Sequence, residues 1–177
     1  MKGLKGALIL LLAATACSTL TVNSDWDHTV NFAALQTYAM REGTRANNPI
    51  IQDRIDRSVN QTLQTRGLRM DAQNPQLLVF THVRVSKEQQ INYNTWGYGG
   101  WAGWGGWGAG GWSTTTATVS QVPVGTLIVD LVDAQRKSLV WRGTATDTIT
   151  SQDQVSQENI DRAVSKMFAN FPPSGPK

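Results

Sequence analysis

The chain has 177 residues, 40% of them hydrophobic, with 16 Lys and Arg against 13 Asp and Glu. That size and composition fit one globular domain with a real core, and they exclude a disordered or collagen-like chain. One cysteine excludes a disulfide within the chain, and two histidines leave little for a metal centre.

Met1-Lys2-Gly3-Leu4-Lys5 is a short basic start. Gly6 to Ala14 follows without a charge and contains Leu8-Ile9-Leu10-Leu11-Leu12; small residues, Ala13-Ala14-Thr15-Ala16, then precede Cys17. These are the three parts of a secretory signal. The apolar run is too short to cross a bilayer of roughly 30 Å, which takes about 20 helical residues. No later run is long enough either.

Two readings compete for Cys17: an incidental thiol after an ordinary signal peptide, or a lipidated cysteine. Ala14-Thr15-Ala16-Cys17 resembles a lipobox, with Ala14 standing where leucine is usual. A lone exposed thiol is a liability in an oxidising compartment, so its solitude favours lipid. The expected division is a signal peptide over 1–16, a lipidated N-terminus over 17–19 and one domain over 20–173. Loss of Lys2 and Lys5 leaves 14 basic against 13 acidic residues, which implies no nucleic-acid partner. Ser18, rather than Asp, follows the cysteine. By resemblance to enterobacterial sorting, that implies a lipid-anchored protein at the outer membrane, facing the periplasm.

Within the mature chain, residues 20–40 read as one or two short strands, with Asp25-Trp26-Asp27 between the alternating runs Leu20–Asn23 and Leu35–Met40. Pro49 suits a first helical position; Ile51, Ile55, Val59 and Leu63 then recur every four residues until Gly67 stops the helix. Leu77 to Val85 reads as a strand, with Val79, Thr81, Val83 and Val85 on one face and Leu78, Phe80, His82 and Arg84 on the other. Residues 92–112 read as a loop, and Ser113 to Val122 as a resumed strand. Val124 to Asp133 and Leu139 to Ala145 form an antiparallel hairpin around a polar turn. From about Ser156 to Phe171, Ile160, Ala163, Val164, Met167, Phe168 and Phe171 fall at helical spacing, and Pro172-Pro173 ends the helix. The expected fold class is α+β: two layers, a mostly antiparallel sheet with two amphipathic helices packed on one face.

Several of these segments together resemble a family of Gram-negative envelope lipoproteins, number 4136 in the domain-of-unknown-function series. They are Asp25-Trp26-Asp27 with Phe32 and Thr37-Tyr38, the helix ending at Gly67, Leu78-Val79-Phe80, the run Val124–Asp133 with Leu139–Gly143, and Ala163–Phe168 with Phe171-Pro172-Pro173. The resemblance covers about residues 20–173. It implies an α+β lipoprotein domain and lends no catalytic residue.

Candidate chemistry is sparse. His28 and His82 are not at zinc spacing, so no metal or cofactor is expected. No Gly-x-Ser-x-Gly elbow occurs. Asp130 interrupts an apolar strand, so it either faces solvent on the sheet's polar side, the favoured reading, or is paired inside, and Asp133 begins the turn; both are then structural. A cell-wall or glycan-acting enzyme would instead use one of them as its acid.

The tract from Trp96 to Trp112 holds five of the seven tryptophans, Trp96, Trp101, Trp104, Trp107 and Trp112, nine glycines and no charge. Its glycines predict a flexible loop with exposed rings. Such rings suit the membrane interface, sugar faces of peptidoglycan or lipopolysaccharide, or another envelope protein. With no Arg or Lys among them, they do not suit nucleic acid. The expected role is therefore non-enzymatic: a structural, scaffold or binding lipoprotein that meets its partners through this tract.

Overall fold

A computed structural model describes residues 20–96 and 114–173. In chain order the elements are β1 (Thr21–Trp26), β2 (Thr37–Arg41), α1 (Pro49–Thr65), β3 (Arg69–Met70), β4 (Leu77–Trp96), β5 (Thr114–Asp133), β6 (Leu139–Thr148) and α2 (Gln157–Met167). Short 3-10 turns lie at Phe32–Ala34 and Gln152–Val155. The strands form one six-stranded sheet in the order β1-β6-β5-β4-β2-β3. Pairing is antiparallel from β1 through β4, while β2 runs parallel to both β4 and β3. This is the expected α+β architecture.

Local chemistry sets the helix limits. The Asn48 side chain accepts a hydrogen bond from the Ile50 N–H at 2.9 Å, and Pro49 follows where a missing N–H costs nothing. At the other end Gly67 takes φ +89°, and the Leu68 and Gly67 N–H groups return to the carbonyls of Leu63 and Gln64 at 3.1 and 3.0 Å. That paired return is a Schellman closure, which needs a residue at ease with positive φ.

Alternation then sorts the sheet. Leu77, Val79, Val129, Leu131 and Trp141 face the helices and are buried with Ile55, Val59 and Leu63 of α1 and Ile160, Val164 and Met167 of α2. Trp141 stacks on Phe168 at 4.4 Å between centroids, and Phe171 meets both edge-on at 5.6 and 5.5 Å. Gly143 makes this packing fit, because a Cβ there would collide with Met167 and the Trp141 ring. Arg66 ties the C-terminal segment to α1 by donating to the Phe171 carbonyl at 2.8 Å.

The sequence expectation placed the first strand's end near Val85, a loop over 92–112 and two separate strands after it. The structure corrects this. β4 continues to Trp96, and β5 is unbroken from Thr114 to Asp133, with pairing from Leu77↔Asp133 to Trp96↔Thr114. Cross-strand hydrogen bonds extend the ladder through Gln, Asn, Ser and Thr, residues that carry no apolar alternation to announce a strand. Pro123 is tolerated because it lies where the β6 ladder ends, at Val124↔Thr148; its carbonyl still accepts from the Ile149 N–H at 2.7 Å. Residues 97–112 of the expected loop lie outside the described residues.

Candidate functional site

The described residues put two features forward. The first is one end of the molecule. Thr21 pairs with Thr146, Thr146 with Thr126, and Thr126 with Arg84, so the four strands are level there. β1 runs away from that level, so the chain enters the sheet from this end. β4 and β5 leave from the same end as a two-stranded arm. From Ser86 to Trp96 it extends for about 35 Å at roughly 3.3 Å per residue. On its helix-side face Val85, Ile91 and Val119 are 62%, 49% and 57% exposed, and Ile91 lies directly opposite Val119.

Between the root of this arm and the first turns of both helices lies an apolar cleft of about 240 Å³. Leu20, Ile51, Val83, Leu127, Ile149 and Ile160 are among its walls. Two glycine and alanine positions open it. Gly125 lets Ile149 lie against the sheet, since a Cβ there would stand 2.5 Å from its Cδ1, and Ala145 keeps the floor low. Sequence reasoning missed this cleft. Its residues read individually as core, and only the projection of β4 and β5 past the helices leaves them uncovered.

The second feature is the helix-free face around Asp130, which is 6% exposed. Strand register sets Asp130 between Phe80 and Arg142. Arg142 grips the carboxylate with both arms of its guanidinium, Nε to Oδ1 at 2.6 Å and Nη2 to Oδ2 at 2.7 Å. Donating to the Asp130 carboxylate raises the guanidinium's pKa above its already high ordinary value. His82 stands with Nε2 3.7 Å from the same carboxylate, its Nδ1 accepting from the Thr44 N–H at 3.0 Å. Asp130 is therefore paired, the second of the two placements its position in an apolar strand left open, rather than solvent-facing as favoured. Arg142, twelve residues on, is the partner that sequence reading did not assign. A hairpin register could have found it, but the bulge between Leu131 and Val132 shifts the count.

Asp133 does the turn work expected of it, accepting from the N–H groups of Gln135 and Arg136 at 2.8 Å each. The two aspartates do not converge, and neither lines the apolar cleft. His28 is exposed beside Trp26, their rings 4.9 Å apart. Among the described residues no three His, Cys, Asp or Glu side chains gather as a metal-holding group, and no helix is long and apolar enough to cross a membrane. Cys17, Trp101, Trp104, Trp107 and Trp112 lie outside the described residues, and of Trp96 only the backbone, at the end of β4, is described.

What these features define is a two-layer α+β domain with a long hairpin arm and a cleft at the arm's root. The chain belongs to the family described as Domain of unknown function (DUF4136), which matches residues 22–173. Comparison with curated proteins gives no match. Among solved structures, a PDZ domain protein from Parabacteroides distasonis is similar with TM-score 0.57 and 15% identity, over 89% of this chain and 36% of that one. This chain thus spans about a third of that protein's length. A PelC dodecamer from Paraburkholderia phytofirmans is similar with TM-score 0.50 and 16% identity, over 84% of this chain and 96% of that one. At such identities the likeness shows a shared fold.

Proposed function

We propose that this chain is a lipid-anchored protein of the bacterial envelope, held by acyl chains on Cys17 at the periplasmic face of the outer membrane. Its role is structural, scaffold or binding rather than catalytic. One observation carries the reading: the chain enters β1 from the same end at which the β4–β5 arm projects. Cys17 stands three residues before Leu20, at most about 10 Å of extended chain. An anchor so close holds the arm's root at the leaflet, and an arm lying along it brings Trp96, Trp101, Trp104, Trp107 and Trp112 to lipid headgroups, peptidoglycan, lipopolysaccharide or a neighbouring envelope protein. The enzymatic alternative draws no support from Asp130, gripped by Arg142, or from Asp133, spent on its turn.

Deleting residues 97–112 should leave thermal unfolding unchanged and lower binding to liposomes or to sacculi. Full retention of binding in both assays refutes the tract as contact surface. Cys17→Ser should accumulate unprocessed precursor without a palmitate label; normal processing of that variant contradicts the anchor.

A further inference from the structure

We infer that the apolar cleft at the root of the arm receives one acyl chain of the lipid carried on Cys17; this rests on the proposed lipidation. The cleft needs an occupant of its own chemistry. Leu, Ile, Val and Ala make up most of its lining; Asn47, Asn48, Thr126, Gln154 and Asn159 also border it, and Asp147 is the one charged residue among those that line it. An uncompensated apolar recess in water favours a hydrocarbon ligand over a polar one. At about 240 Å³ it falls below the roughly 300 Å³ at which pockets for whole small molecules begin, so it suits a single chain.

Chain geometry selects the source. Leu20 forms part of the cleft wall, and Cys17 stands three residues before it, at most about 10 Å away. A ligand on so short a tether reaches an effective concentration in the millimolar range, which no free lipid matches in the aqueous periplasm. The groove also continues outward: Val85 lines the cleft and lies on the same face of the arm as Ile91 and Val119. A chain longer than the cleft can therefore follow the arm toward its tip. Bilayer and cleft offer the hydrocarbon similar surroundings. The seat shelters one chain when the protein is away from a membrane and yields it on arrival.

The full-length protein, expressed in a Gram-negative host fed a diazirine- and alkyne-bearing palmitate analogue, provides the test. The purified protein is irradiated free of membrane and detergent, digested and mapped by mass spectrometry. Cross-links from the Cys17 lipid to peptides holding Val83, Leu127 or Ile149 are the expected result. Ala163→Trp, which fills the cleft from α2, should abolish them while the label stays. Val85→Trp, at a position 62% exposed and so tolerant of the change, should do the same if Ala163→Trp fails to fold. Ile50→Glu, also exposed but outside the cleft, should leave the cross-links in place. Labelled protein cross-linked only elsewhere overturns the seat and spares the anchor. Protein without any label overturns both.

Discussion

Arg142→Met isolates what the helix-free face contributes. The substitution keeps most of the side chain's length and removes the cation, leaving the Asp130 carboxylate at 6% exposure with His82 at 3.7 Å as its nearest charged or chargeable neighbour. Breaking a fully buried pair from one side costs about 3–5 kcal/mol, and a hydrogen bond to a charged group contributes about 1.5–3. The Arg142 side chain is half exposed, so water screens the pair and the lower range applies. The expected loss is about 2 kcal/mol, read as a lower urea midpoint at unchanged slope. The double variant Asp130→Leu with Arg142→Met should recover most of it, because no charge then remains to be solvated. A single variant within about 0.5 kcal/mol of the parent would show that the ion pair does not hold this face. Failure of the double variant to recover would mean that Arg142 acts through packing.

Gly143→Ala should destabilise the domain by about 1–3 kcal/mol, since the new methyl overpacks against Met167 and Trp141; unchanged thermal stability refutes that account of the core. Tyr38 is fully buried and donates to Asn60 Oδ1 at 3.1 Å, and burial raises its phenol above the ordinary 10.0. A raised folded-state pKa gives a contribution that is complete below pH 10 and lost as pH climbs through the folded value. Tyr38→Phe should cost about 1 kcal/mol at neutral pH and remove this alkaline decline, so parallel stability curves above pH 10 would count against it.

Much of this fold is legible in single segments. The four-residue recurrence of Ile51, Ile55, Val59 and Leu63 names the core-facing stripe of α1, buried from Ile55 on, and Asn48-Pro49 and Gly67 mark its ends because capping is local chemistry. Alternation in Leu77–Val85 likewise assigns the two faces of β4 correctly, since a pleated strand has a period of two. What fails is whatever depends on a partner strand. The outer half of β4 carries no alternating pattern, and only its ladder with β5 makes it a strand; the Thr- and Val-rich outer half of β5 reads as strand, but its continuity with Val124–Asp133 does not show locally.

The sequence by itself determined the export-like N-terminus, the lone Cys17, the uncharged tryptophan tract and the α+β class, because each resides in composition or in short periodicity. Tertiary structure decided that Asp130 finds Arg142, and that β2 slips in beside β4 in parallel. It also decided that β1 enters where the arm leaves, with an apolar cleft between them. The physical reason is that register and strand order are set by long-range pairing. No local pattern along one chain encodes which ends of two distant strands will meet.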